Sequence, residues 1–363
     1  MSSYCLVADT PFQLLNIINF RLNTIKNESA DLFINESGVM QKFANRVIIA
    51  EIFENVYTYK RRSKSKKIIY YLYDLKQAAL PRYFIDELTS NKFKFNEKDY
   101  KFITVTSGHD VEMALVRCFP KAIHIAIDDG LGSYFGDIIH NHKLSFVWKI
   151  FGRNMKKIKP ICLYVNNAGI CESTMCDDVS DLSSLRTSSD DFKSIIRNIF
   201  FDECENLYAK YPIIFLTQPL SEIKKSDKCI QLYEEIIKLT KNKLGKNIII
   251  RIHPRDNQDP QIYGNIPIDL SSSLWELICA NHIESNYILM SVCSSSQIMP
   301  KIIYNNEPNI IFLYQIFKEY IKDDVYIRFN NIFNLIKNYY LNKEKIYLPN
   351  NIEEFVSIME KFN

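Results

Sequence analysis

The sequence predicts an α/β protein of two domains, each built on a parallel sheet. Three observations predict it. Short β-branched runs alternate with helical stretches along the chain, the order that parallel sheets covered by helices require. At 363 residues the chain is too long for one ordinary core. Its 47% apolar and 24% charged residues match the balance of soluble globular domains.

In the first half, strands are expected at Tyr4–Ala8, Asp31–Asn35, Arg46–Ile52, Phe102–Thr106, Ile123–Ile127 and Ile161–Val165. The polar, serine-rich stretch Glu172–Asp191 reads as a linker at a domain junction. In the second half, strands are expected at Ile213–Thr217, Asn247–Ile252, Ile266–Asp269, Tyr287–Val292 and Asn309–Leu313. The expected domains are residues 1–190, with 172–191 as the linker region, and residues 191–350. Residues 351–363 are expected to form a helix that packs back through Ile352, Phe355, Ile358 and Met359.

A net charge of +3 carries no global signature of nucleic-acid binding. Two basic stretches, Lys60–Lys67 and Lys156–Lys159, read first as a solvated loop and a solvated helix face. The sharper alternative is contact with an anionic lipid surface or an acidic glycan. Nine scattered cysteines without CxxC pairing fit free thiols in a reducing compartment better than disulfides or a zinc site. With no basic leader and no apolar run of ~18 residues, the expectation is a cytoplasmic protein, at most peripheral on the inner membrane.

Ligands of open parallel sheets sit beyond the carboxyl ends of the strands, so those ends carry the chemistry. After the first strand, "ADTPFQ" places Thr10 as a helix N-cap, Pro11 at the first helical position and Gln13 where a capping box needs it. Asp9, Thr10 and Gln13 are candidate contacts to sugar hydroxyls. In "IHIAIDDG" the alternation of a strand puts Asp129 on the face of Ile123, Ile125 and Ile127 and turns Asp128 the other way. Gly130 then permits a sharp turn or a close backbone approach to a ligand. Adjacent acids in unlike surroundings have their pKa values pushed apart, which makes one a usable general base.

In "NIIIRIHPRD" an aliphatic strand ends at His253, where Pro254 stops further pairing and Arg255 follows. A histidine among cations, tuned by a bound phosphate, is a candidate proton donor. In "SVCSSSQIMP", Ser294, Ser295 and Ser296 open an expected helix, and Gln297 completes a second capping-box pattern. Free amides and hydroxyls at such a start suit a phosphate or carboxylate. Pro300 would kink or shorten that helix. "FLTQPLSE" adds Thr217 and Gln218 at another strand end, with Glu222 and Asp227 beyond as rival acids. Ser273 and Glu276 give a weaker capping-box match, with Glu276 within reach of a ribose as the alternative.

Two Rossmann-like halves facing a central cleft make up the GT-B arrangement. The order of DDG, then HP and a serine run, resembles the bacterial GT-B sialyltransferases of glycosyltransferase families 38, 52 and 80. "CLVADTPFQLLN" and "FLTQPLSE" look most like family 52, the lipooligosaccharide sialyltransferases; the family 38 polysialyltransferases are the close runner-up. The resemblance implies a sialyltransferase acting on lipooligosaccharide or capsular polysaccharide by an inverting displacement that needs no metal. CMP-sialic acid is the implied donor substrate, with no further cofactor. By the same resemblance Asp128 or Asp129 is the base, with Glu222 or Asp227 as rivals. His253, Pro254, Arg255, Ser294–Ser296 and Glu276 would meet the donor nucleotide and phosphate, and a homodimer is expected. The sequence also admits a GT-B transferase with another donor (a glucosyl-, Kdo- or glycerophosphotransferase) and a glycan- or nucleotide-binding scaffold without turnover.

Overall fold

The computed structural model describes residues 3–60, 76–77, 79–89, 93, 99–106, 110–135, 159–173, 176–185, 189–200, 207–218, 227–245, 247–253, 256, 263–271 and 273–362. The chain divides into two compact units, Met1–Phe201 and Asp202–Asn363.

In the first unit the strands are β1 (Tyr4–Ala8), β2 (Ala30–Asn35), β3 (Asn55–Tyr59), β4 (Phe102–Thr104), β5 (Ile123–Ile127), β6 (Cys162–Val165) and β7 (Asp178–Asp181). They form one seven-stranded sheet in the order β3-β2-β1-β4-β5-β6-β7, with every pairing parallel. Helices α1 (Pro11–Asn19), α2 (Met40–Ala50), α3 (Pro81–Leu88), α4 (Asp110–Cys118), α5 (Leu131–Phe135) and α6 (Asp190–Phe200) complete it. β1 and β2 are buried almost throughout, as central strands covered on both faces must be. The order reverses between β1 and β4, so the carboxyl ends around that point form the natural ligand crevice.

The second unit repeats this plan with β8 (Ile213–Leu216), β9 (Ile248–Arg251), β10 (Ile268–Asp269), β11 (Ile288–Ser291), β12 (Asn309–Phe312) and β13 (Ile346–Tyr347). Its six-stranded parallel sheet runs β10-β9-β8-β11-β12-β13, and the reversal falls between β8 and β11. Helices α7 (Leu207–Lys210), α8 (Asp227–Leu244), α9 (Trp275–Asn281), α10 (Met299–Tyr304), α11 (Asp323–Tyr339) and α12 (Ile352–Glu360) accompany it. The C-terminal helix α12 buries Phe355 and Met359 and lies beside α8, where Lys243 Nζ meets Glu360 Oε1 at 2.7 Å.

Three expectations need correction. Arg46–Ile52 is not a strand: residues 46–50 are the last turns of α2. Met40, Phe43, Ala44 and Val47 are buried at helical spacing while Ile49 is 79% exposed, so period overrides the β-branched composition. The third strand is Asn55–Tyr59 instead. Within the expected linker, Asp178–Asp181 pairs with β6 from Cys162↔Asp178 to Val165↔Asp181. An edge strand tolerates the polar sequence DVSD because one side stays open to water. α6 then packs on α2, which moves the unit boundary from residue 190 to residue 201. β13 was not expected either; its two residues are too few to give a pattern.

Among the described residues every cysteine is a free thiol, and no helix is long and apolar enough to cross a membrane. Of the two basic stretches only Lys60 and Lys159 are described; they pair with Glu36 and Asp177.

Candidate functional site

The end of β1 is built as its sequence reads. Thr10 Oγ1 accepts from Gln13 N at 3.2 Å, and Gln13 Oε1 accepts from the amides of Thr10 (3.2 Å) and Asp9 (2.7 Å), which is a complete capping box. Gln13 is thereby engaged with the backbone. Asp9 is buried and receives the Tyr59 hydroxyl at 2.7 Å from the end of β3.

At the end of β5 the two adjacent acids part company. Asp128 is fully buried. Its Oδ1 accepts from Gly130 N at 2.8 Å, and its Oδ2 accepts from the Tyr134 hydroxyl (2.7 Å) and from Asn166 Nδ2 (2.9 Å) and N (3.4 Å). Burial raises its pKa, while the donors from Asn166, Gly130 and Tyr134 pull the other way. Asn16 from α1 donates to the Asp128 carbonyl at 3.0 Å and receives Asn166 Nδ2 at 3.1 Å. Asp128 is the hub of this loop, with both oxygens occupied. Gly130 has φ +110° with open space where a Cβ would stand, so the turn requires glycine, not a close approach.

Asp129 is half-buried and has a lighter set of contacts. Thr10 Oγ1 lies 3.5 Å from its Oδ1, and the Ser133 hydroxyl oxygen accepts its backbone N–H at 2.8 Å. Desolvation first, then the negative charges of Glu112, Asp128 and Asp9, push its pKa up to about 8. A carboxyl held there exchanges its proton near neutral pH, as a general base or acid must. The strand alternation that separated Asp128 from Asp129 therefore separates their chemistry too.

In the second unit, the corresponding strand ends carry hydroxyls, an amide and an imidazole. Thr217 Oγ1, after β8, accepts the His253 amide at 2.9 Å, which ties the end of β8 to the end of β9. The His253 residue is half-buried. Gln218 Oε1 accepts from Ser291 Oγ at 3.2 Å and from Cys293 N at 2.9 Å, bridging the reversal point between β8 and β11. Gln218 Nε2 and both amide atoms of Gln297 are buried with no hydrogen-bond partner among the described residues. An unpaired buried donor costs about 1–3 kcal/mol, so such groups mark places where a further polar partner is stabilising.

The serine run departs from expectation. Ser295–Ile298 is a single 3₁₀ turn capped by Ser294, whose Oγ accepts from Ser296 N at 3.4 Å. Gln297 does not close a capping box; its side chain has no hydrogen-bond partner among the described residues. Pro300 stands at the start of α10, where its missing N–H costs nothing, so one expected helix is divided into a turn and α10. A one-turn element has little dipole, which leaves hydroxyls and amides as its anion contacts. Ser273 is likewise not a cap: Leu274 precedes α9, and Glu276 lies buried in its first turn. Arg251, next to the predicted site, is held by Asp269, the Tyr208 hydroxyl and the Ser273 carbonyl and stacks over Trp275, so its charge is already matched.

The structure thus gathers Asp9, Thr10, Asp128, Asp129 and Gly130 around one group of strand ends, and Thr217, Gln218, His253 and Ser294 around another. Pro254, Arg255, Glu222 and the side chain of Asp227 lie outside the described residues. The sequence reading passed over Glu112, Tyr59, Asn16, Ser133 and Asn166. Asn166 follows β6, so the strand-end rule applied to "YVNN" would have found it. Among the described residues no group of three or more His, Cys, Asp or Glu side chains is placed to hold a metal ion.

No family model matches the chain. No curated protein matches it either. Among solved structures it resembles a Listeria monocytogenes protein designated UDP-N-acetylglucosamine 2-epimerase, at 9% identity and a TM-score of 0.52 over 100% of this chain and 88% of that one. It also resembles UGT89C1 of Arabidopsis thaliana complexed with UDP, at 8% identity and a TM-score of 0.54 over 100% of this chain and 90% of that one. At such identities the likeness is one of fold. The class it defines is GT-B-like, with two Rossmann-like α/β units in one chain.

Proposed function

We propose that this protein is a glycosyltransferase that moves a sugar from a nucleotide-sugar donor to a glycan hydroxyl, with CMP-sialic acid as the donor. The observation that carries the reading is Asp129, a half-buried carboxyl at a strand end beside the sheet reversal, pushed up to about 8 by desolvation and then by neighbouring negative charge. Asp129 takes the proton of the acceptor hydroxyl. The acceptor oxygen bonds to the anomeric carbon from the face opposite the leaving group, and the bond to the phosphate oxygen breaks, its electron pair leaving with CMP. His253 and the hydroxyls of Ser294–Ser296 hold the departing phosphate, and Gln218 Nε2, without a partner among the described residues, supplies a further donor. Fixed donors of this kind are usually the largest contribution to such catalysis. Asp128, with both oxygens occupied, holds the loop and does not serve as the base. Support for a nucleotide donor comes from the fold: of the two similar structures, one holds UDP and the other is named for a UDP-sugar. The choice of CMP-sialic acid over a UDP-sugar rests on the resemblance of the DDG, HP and serine motifs.

The test is release of nucleotide and transfer of sugar from CMP-sialic acid, with UDP-sugars, CMP-Kdo and CDP-glycerol as competing donors. Asp129→Asn is expected to lower transfer ~10²–10⁴-fold. In the unmodified protein kcat/KM should rise with pH until about 8, because the base must lose its proton before it can accept another. Transfer from a different donor alone overturns CMP-sialic acid as donor. An Asp129→Asn variant with unchanged rate and pH profile moves the base to Glu222 or Asp227, which Glu222→Gln and Asp227→Asn then separate.

A further inference from the structure

The end of β4 carries a third acid that the strand-end reading did not use. Glu112 lies in the first turn of α4 and is buried. Its Oε1 accepts the Thr106 amide at 3.0 Å, and the Thr106 hydroxyl oxygen accepts the Ile127 amide at 3.1 Å. Ile127 is the last residue of β5, two positions before Asp129. Two hydrogen bonds therefore fasten the Glu112 carboxyl to the backbone that carries Asp129. Among the described residues, the polar groups that act on Asp129 are Asp9 and Thr10 after β1, Glu112 on α4, Ser133 on α5 and Asp128 beside it in the chain. Asp9 is held by Tyr59, and Asp128 by Tyr134 and Asn166.

We propose that Glu112 is a positioning residue that acts through Asp129, keeping negative charge fixed beside the proton-accepting carboxyl. The inference rests on the reading of Asp129 as the base. A bare carboxyl at a strand end would be ionised at all physiological pH values and would be a feeble acceptor. Glu112 is the largest of the charge effects on Asp129, ahead of Asp128 and Asp9, and like charge favours the protonated form. Its attachment to the Thr106 amide gives it a fixed place from which to do so.

Glu112→Gln is the informative variant, because the amide oxygen can still accept the Thr106 N–H while the charge is lost. The Asp129 carboxyl is followed by ¹³C NMR titration, assigned by its disappearance in Asp129→Asn, and the rate of sugar transfer is followed over the same pH range. Glu112→Gln is expected to move the Asp129 titration down by about one pH unit. The acid limb of the rate profile should move with it, with a lower plateau from the weaker base. Asp9→Asn should shift both in the same direction by less. An unmoved titration in a folded Glu112→Gln protein overturns the proposal. A titration that moves while no donor is turned over leaves the Glu112–Asp129 coupling standing and removes the transferase reading instead. Should Glu112→Gln fail to fold, Glu112→Asp, which keeps the charge but shortens its reach, must change the Asp129 titration, and an unchanged one overturns the proposal.

Discussion

The two units share one strand order and carry opposite chemistry at the same places. The first ends β1, β4 and β5 in carboxyls or groups that hold them: Asp9, Thr106 with Glu112, and Asp128 with Asp129. The second ends β8, β9 and β11 in Thr217, His253 and Ser294, with Gln218 bridging the reversal. In the first set, burial raises the proton affinity of Asp128 and Asp129. The other places hydroxyls, an amide and an imidazole at its strand ends, groups that can donate hydrogen bonds to an anion. The comparison teaches that one strand order can carry unlike groups at its strand ends, acids in one unit and hydroxyls, an amide and an imidazole in the other.

The hardest blow to this contrast is struck in the second unit. His253→Ala is expected to lower transfer by ~10²–10⁴-fold with the far-UV spectrum unchanged, since the Thr217 hydroxyl accepts the backbone amide of residue 253 and not its ring. Wild-type turnover would remove the phosphate role.

The next test separates the adjacent acids by stability. Asp128→Asn should destabilise the protein by about 1–3 kcal/mol in denaturant unfolding, because an amide presents one acceptor oxygen where two are surrounded by donors. Asp129→Asn should do the reverse above acid pH. The folded pKa of about 8 lies above the unfolded value near ~4, so the wild type loses stability as pH rises through that interval. The melting temperature of Asp129→Asn should match wild type near pH 4 and exceed it increasingly up to pH 8, then stay level. Equal curves at every pH would show that Asp129 is not perturbed. The smallest effect belongs to Gly130→Ala, whose φ of +110° strains any side chain; a loss of about 1–2 kcal/mol is expected. A neutral result would mean that the turn relaxes freely and does not aim Asp129.

Much of this was legible before any coordinates. β1 and β5 fall where their apolar runs stop, and the four central strands of the second unit read as aliphatic runs because both faces are covered. The Thr10–Gln13 capping box was readable because its chemistry is local. Arg46–Ile52 misled because its β-branched residues disguised a helical period that starts upstream at Met40. Glu112 stayed hidden for a different reason. Its partner Thr106 is six residues away, and both are tied to the strand that carries Asp129 through the pairing of β4 with β5 and the Thr106–Ile127 hydrogen bond. No short window of sequence contains that relation. The serine run promised a helix and gave a single 3₁₀ turn, since the α-helix starts only at Met299, with Pro300 in its first turn.

The first helix, PFQLLNIIN, has one further consequence. Its amides at Gln13, Asn16 and Asn19 recur every third residue, all buried, and grip the Asp9–Thr10 turn, the Asp128 carbonyl and the Ser183 carbonyl in turn. A repacking scheme that treated this helix as interior and filled it with leucine would gain oiliness and unfasten three separate loops at once. The helix is a rivet line disguised as core, and the Asp128–Asp129 turn would be among the first parts to work loose.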